Sequence, residues 1–401
     1  MATQQEIMDE RGGSLVLENG SDLHSTFQDI RSRSAHFIQG FLNGRQRENG
    51  AAGVTLDFAR HIAFRPSSAL ADEAPLIIVN AGVVIRLKRF FDEALAHPGV
   101  LPRVGNQSAE VRGERTVLIH DKLDLDHELG SDGDWRRPRD PHRAGYARYL
   151  LRIACEYLVI HEFAHIVHGH LDWCDRLIRS GKRPTSLDRR TLEFDADNVA
   201  IHNAFLRAMY VYPRHRVNEL LKYVYQPDRA IQEEAVSAVA LALYVLFRSY
   251  FESLQGRTSD DFSGRSYPSA NTRFRIVSGL IQSVVAEERR TAGWLYGALD
   301  QRRAWELIQA GVGSGDTINV VLGGQPSGID LLNNDPVSDE VQNEILRHWA
   351  DLRPQLAPLV RAGTLAPVAD LSGSPVCRTW NRTASGYSVN SWAVRFGLGD
   401  R

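Results

Sequence analysis

Cysteine is scarce in this 401-residue chain, with only Cys155, Cys174 and Cys377. Three irregularly spaced thiols exclude a disulfide framework and a cysteine-rich metal site, and they are expected to be reduced, in a cytosolic protein. Lysine is nearly as scarce. Lys88, Lys122, Lys182 and Lys222 are the only four, and arginine supplies the rest of the 47 basic residues. Those arginines are scattered and balanced by acids, which reads as coding bias rather than a phosphate site. Neither charge sign is in excess: a net charge of −2 excludes a dedicated nucleic-acid binder. Long apolar runs are missing too. The longest, Ala235 to Phe247, is interrupted by Ser237 and closed by Arg248, short of the roughly 20 residues that span a bilayer. It is expected to be a buried helix. The N-terminus lacks a basic segment followed by an apolar one, so no secretory signal is expected.

Apolar residues at 43% and charged residues at 24% are ordinary for a globular chain. The length suggests more than one packed unit. Three regions are expected: a mixed α/β segment over 1–142, a helical core over 143–290, and a mixed segment over 291–401. The fold class expected is α+β, mainly α.

Periodicity gives the elements. Phe27, Ile30, Phe37, Ile38 and Phe41 mark a helical lead-in. Leu76 to Val79 reads as a strand, with Asn80 as the N-cap of a helix carrying Val83, Val84, Leu87, Phe90 and Phe91 on one face. A second strand is expected at Thr116 to His120 and a loop over 126–142. A helix is expected from Tyr146 to His170, ended near Gly169, then a polar connection over 172–190. Further helices are expected near 192–210, 215–226, 231–254 and 270–289. Ile318 to Leu322 reads as a short strand, and Asp335-Pro336 opens a last helix. Beyond Gly363 the chain reads as a loop.

The chemistry concentrates in Tyr157 to His170, which contains His161-Glu162-x-x-His165. Positions four apart share a helix face, so both imidazoles can bind one metal ion. Glu162, one residue on, can reach a metal-bound water without becoming a ligand. Neutral imidazole suits zinc, and a catalytic site takes three protein ligands and keeps a position open. The flanks Leu158, Val159, Ile160, Ile166 and Val167 bury this helix, and buried polar groups without partners are costly.

A third ligand is needed. His168 and Leu171 exclude the HExxHxxGxxH pattern. Downstream, Leu192-Glu193-Phe194-Asp195-Ala196-Asp197 offers acids on a second helix. Glu193 and Asp197 share a face, which suits Glu193 as ligand and Asp197 as the acceptor that orients a ligand histidine. Asp197 and Asp195 are the alternative ligands, and acids that merely charge a first helical turn are the plainer reading. His168, His170 and His202 are expected to pack or support rather than ligate.

HExxH followed by ExxxD resembles the gluzincin metallopeptidases. HEFAHIVHGH with LEFDADNVA particularly resembles the phage-exclusion peptidases of the Lit type, and less closely the heat-shock membrane proteases, whose membrane spans this chain lacks. Tyr267-Pro268 followed by Arg273 is close to a downstream His-Pro-x-x-x-x-Arg element of related gluzincins, with Tyr267 in place of the histidine. The resemblance covers roughly 145–280. It implies a zincin-like core and a zinc-dependent endopeptidase acting on a protein or peptide substrate. For the Lit type, that substrate is elongation factor Tu.

The expected reaction is metal-assisted hydrolysis. With zinc bound, Glu162 would take the proton of the attacking water and pass it to the leaving amine. Tyr267 or Arg273 would stabilise the oxyanion. Residues 116–120 are the candidate edge strand for an extended substrate. The rival readings are a metal-binding regulatory or toxin module without hydrolytic activity, a structural protein with a coincidental motif, and a hydrolase of another bond.

Overall fold

The structure, a computed structural model, describes residues 2–43, 53–111, 124–131, 134–211, 231–252, 270–292, 299–322 and 336–368. Helices α1 (Gln4–Asp9) and α2 (Asp22–Asn43) precede a three-stranded sheet of β1 (Thr55–Ala59), β2 (Pro66–Ala69) and β3 (Leu76–Asn80). The strand order is β1-β3-β2. β1 runs parallel to β3 with Thr55 opposite Leu76, and β2 runs antiparallel with Ala69 opposite Leu76. All five β3 residues are buried, as an apolar run in a central strand requires. β2 lies at the edge and begins at Pro66, a position that tolerates the missing N–H.

β3 leads directly into α3 (Ala81–Leu95), whose expected apolar face is buried throughout. Asn80 occupies the N-cap position with extended backbone, but its side chain makes no cap. Its amide donates to the Ala63 carbonyl at 3.2 Å instead, tying the turn before β2 to the end of β3.

Part of the expected loop over 126–142 is helical. Asp124 caps α4 (Leu125–Gly130) by accepting from the N–H groups of Asp126 and His127. Asp140 caps α5 (Pro141–Val167) in the same way, with Pro141 in the first turn, so α5 begins five residues before Tyr146. Nearly every residue of α5 from Tyr146 onward is buried. A helix buried on all sides belongs at the centre of a fold, and α5 packs against α2, α3, the sheet and three later helices.

Gly169 breaks the expected Tyr146–His170 helix. Its φ of +75° is left-handed, and a Cβ there would meet the Leu359 backbone and side chain at 2.5–2.8 Å. The turn starts α6 (His170–Arg179), so the first half of the expected polar connection is helix. Thr185 and Asp188 form a capping box that opens α7 (Ser186–Leu206) six residues before Leu192.

Four more helices complete the described chain: α8 (Ile231–Glu252), α9 (Ala270–Ala292), α10 (Gln301–Val321) and α11 (Pro336–Leu356). The expected strand Ile318 to Leu322 is instead the end of α10. Asp300 caps that helix, and its buried positions Ala304, Leu307, Ile308, Gly311, Val312, Gly315 and Ile318 recur every three to four residues. A short apolar run at a helix end mimics a strand because periodicity needs a longer window. Gly311 lets α10 approach α8 closely, since a Cβ there would lie 2.8 Å from the Ser237 carbonyl oxygen.

The architecture is mainly helical with one small mixed sheet, and one cluster of buried apolar residues runs from Leu23 to Ala366. Among the described residues no helix is long and apolar enough to cross a membrane. The expected strand at 116–120, the helix near 215–226, Tyr267 and Cys377 lie outside the described residues.

Candidate metal centre

α5 and α7 pack against each other and bring together the residues expected to ligate. His161, His165 and Glu193 present ligand atoms within 4.8 Å of one another. The two Nε2 atoms face each other at 3.2 Å. Glu193 Oε2 lies 3.1 Å from His161 Nε2, and Glu193 Oε1 lies 3.5 Å from His165 Nε2. Four-coordinate ligands at about 2.0–2.1 Å from a zinc ion sit roughly 3.3 Å apart, so the spacing fits. Glu193 Oε2 is buried, with no well-formed hydrogen bond among the described residues, and His161 Nε2 and Arg273 Nη2 lie 3.1 Å and 3.5 Å from it. A carboxylate at this depth needs positive charge around it, which these groups supply and to which a metal ion between the imidazoles would add.

Glu193 stands two turns into α7 because the helix starts at Ser186. The acids therefore do not charge a first turn. Burial opposes its ionisation, yet His161 and His165 hold its carboxyl well below the usual carboxylate range. His161 shows the reverse balance. Burial lowers its pKa, but the charge of Glu193 and the nearby Asp197 outweigh burial and raise it to about 9.

Asp197 takes the orienting position expected of it. Its Oδ1 lies 2.9 Å from His161 Nδ1 and accepts from the Tyr157 hydroxyl at 2.5 Å. Arg273, on α9, donates to it twice, from Nε at 2.8 Å and from Nη2 at 2.6 Å. Burial works against the Asp197 anion, but Arg273 and His161 hold its pKa down. The guanidinium stacks over Phe247 at 5.1 Å and reaches within 3.5 Å of Glu193. Arg273 thus belongs to the site, anchored on Asp197.

Glu162 stands apart from the ligand cluster. Its Oε2 accepts from the Ser68 hydroxyl at 2.9 Å, which ties α5 to edge strand β2. Glu162, His161, Glu193 and Arg273 line a cleft of about 450 Å³, walled by Phe64, Leu158, Leu246, Phe247 and Tyr250, with Arg65 at its rim.

Sequence reasoning missed three features. The strand β2, Pro66-Ser67-Ser68-Ala69, carries no apolar alternation, so Ser68 gave no signal. Tyr157 opens the motif segment, but nothing in its spacing pointed to a contact with Asp197. His168, His170 and Asp195 form a second buried cluster, in which Asp195 Oδ2 meets His168 Nδ1 at 2.5 Å and His170 Nε2 at 3.1 Å. His202 is buried elsewhere on α7, and burial lowers its pKa to about 4.

No protein-family model matches this chain, and neither a curated protein nor a solved structure matches it.

Proposed function

We propose that this chain is a zinc-dependent endopeptidase whose metal is held by His161, His165 and Glu193. The observation that carries the reading is the division of labour along one buried helix. Two imidazoles converge with a buried carboxylate, while the glutamate between them in sequence faces a cleft and stays outside the cluster. Bound there, zinc supplies a Lewis acid and a water acidified enough to attack a carbonyl.

The chain's own residues do the rest. Glu162, kept in place by Ser68, takes the proton of the attacking water and returns it to the leaving amine. Arg273, held on Asp197 through Nε and Nη2 and lining the cleft, is the candidate donor to the developing oxyanion, and Tyr267, outside the described residues, is the alternative. The cleft wall of Phe64, Leu158, Phe247 and Tyr250 favours an apolar side chain beside the scissile bond. Extended substrate would add to the outer edge of β2, which pairs only with β3 among the described residues and lies next to Glu162. That role was expected of residues 116–120. Elongation factor Tu, implied by the Lit-type resemblance, is the first protein substrate to test.

Three variants test the reading. Elemental analysis should find one zinc per chain in the wild type and sharply less in Glu193→Ala. Glu162→Gln should keep its zinc and lose about 10²–10⁴-fold in kcat. A zinc-loaded Glu162→Gln that retains full activity in cells would sink the peptidase reading in favour of a metal-binding regulatory or toxin module. Full zinc in Glu193→Ala would move the third ligand to Asp197 or Asp195.

A further inference from the structure

The two histidines of the motif need the same tautomer. To offer an Nε2 lone pair to a metal, each ring must carry its proton on Nδ1, and that proton needs an acceptor. Asp197 supplies it directly for His161. Among the described residues no carboxylate meets Nδ1 of His165. That atom instead meets Nδ1 of His170 at 2.9 Å.

We propose that Asp195 and His170 form a positioning relay that fixes His165 in its metal-binding tautomer, an inference that rests on His165 being a ligand. The hydrogen-bond directions close without contradiction. Asp195 Oδ1 accepts from the Ala366 N–H at 2.7 Å, and Oδ2 faces both His168 Nδ1 and His170 Nε2. A carboxylate has only acceptors, so His168 carries its proton on Nδ1 and His170 carries its proton on Nε2. His170 Nδ1 is then a bare lone pair, and the one group facing it, His165 Nδ1, must donate. His165 Nε2 is left with its lone pair aimed at His161 and Glu193. A neutral imidazole has one donor and one acceptor, as the relay requires.

His168 serves the same carboxylate. Its Nε2 is buried without a hydrogen-bond partner, and Gly363 makes room for it: a Cβ at Gly363 would lie 2.8 Å from that nitrogen. An unprotonated Nε2 agrees with the proton being on Nδ1. The cluster is a poor second metal site. Its Nδ1–Oδ2 distance of 2.5 Å is far below the roughly 3.3 Å between ligands of one zinc ion.

Three variants and one spectrum test the relay. His170→Phe fills the space but offers no acceptor. His170→Asn places a carbonyl oxygen near the former Nδ1. Asp195→Asn keeps the shape of the carboxylate. With its oxygen held by the Ala366 N–H, its amide turns donors toward His168 and His170 and reverses the chain. Histidine-selective ¹⁵N spectra of the metal-free protein, assigned with His165→Gln, read the His165 tautomer directly. Chelator competition reads zinc affinity, and denaturant unfolding reports whether each variant folds. The wild type should show His165 protonated on Nδ1. Asp195→Asn should move that proton to Nε2. His170→Phe and Asp195→Asn should bind zinc about 10–100-fold more weakly, and His170→Asn should recover most of that loss.

An Nε2–H tautomer on His165 in the wild type overturns the relay, as does unchanged zinc affinity in folded His170→Phe. Equal losses in His170→Phe and His170→Asn would mark a packing role and overturn it too, as would a second zinc lost in the His170 variants. Because the tautomer is read without metal, a wild type that binds no zinc sinks the peptidase reading while leaving the His165 assignment testable.

Discussion

Asp195 and Asp197 stand two residues apart on α7, both buried to within 2% exposure. At 3.6 residues per turn they point to nearly opposite sides of the helix. Asp197 is met by a cation, Arg273, and by Tyr157 and His161. Asp195 is met by two imidazoles and a backbone N–H. Both end at a histidine proposed as a ligand, Asp197 directly at His161 and Asp195 through His170 at His165. One branch balances its charge with a buried ion pair, and the other spreads it over neutral donors. The branches should therefore fail in different ways.

The largest effect is expected from Asp197→Ala. It leaves the buried Arg273 with Glu193, at 3.5 Å, as its remaining carboxylate among the described residues, and breaking a buried pair from one side costs about 3–5 kcal/mol. Denaturant unfolding of the metal-free protein should show that loss. Asp197→Leu combined with Arg273→Met should recover most of the stability, because apolar replacement of both partners is often neutral. It should not restore zinc affinity. A double variant as unstable as Asp197→Ala would remove the buried cation as the cause.

Asp195→Ala is expected to be milder. It strands a backbone N–H and two imidazole N–H groups rather than a guanidinium, at about 1–3 kcal/mol. If it destabilises as much as Asp197→Ala in the same unfolding assay, the two branches are not electrostatically distinct.

Titration sharpens the contrast. In the metal-free chain the His161 pKa is raised from 6.5 to about 9. Its contribution to stability is fully present below about pH 6.5 and is lost as the pH rises through about 9. Zinc must displace that proton, so apparent zinc affinity should rise about tenfold per pH unit up to that pKa. Calorimetry in buffers of different ionisation enthalpy should record about one proton released per zinc at neutral pH. His170, lowered from 6.5 to about 4, has the opposite sign: its contribution is lost as the pH falls from 6.5 through about 4. A zinc affinity flat between pH 6.5 and 8.5 would refute the His161 assignment.

The smallest effect belongs to Ser68→Ala, outside both branches. It removes the hydrogen bond that Glu162 accepts from Ser68. At about 0.5–1.5 kcal/mol for such a bond, kcat should fall by roughly threefold to tenfold with zinc content unchanged. An intact kcat would detach β2 from the proposed base.

The site was legible where chemistry follows local spacing. His161, Glu162 and His165 lie within one helical turn and a residue, and Glu193 and Asp197 share a face on another helix, so periodicity alone grouped them. The strand Leu76 to Val79 and the helix after it were equally plain, because their apolar residues are continuous or recur at helical spacing. The opening residues of α5 and α7 were less so. Asp140-Pro141 and Thr185 with Asp188 are good capping signals, but they lie inside polar stretches that read as loops. Ile318 to Leu322 failed for the opposite reason, as an apolar run too short to reveal its period.

By itself, then, the sequence determined which side chains lie on which helical face, since a helix converts spacing into direction at a fixed 3.6 residues per turn. Only the tertiary structure decided what those faces meet. Gly169 turns the chain in a left-handed step so that His170 sits against His165 and Asp195. Arg273 comes from 76 residues beyond Asp197 to neutralise it. A strand without apolar alternation, β2, sets Ser68 on Glu162 from 94 residues away. Such contacts depend on how buried helices and a sheet edge pack, and packing is a property of the whole chain that no local window contains.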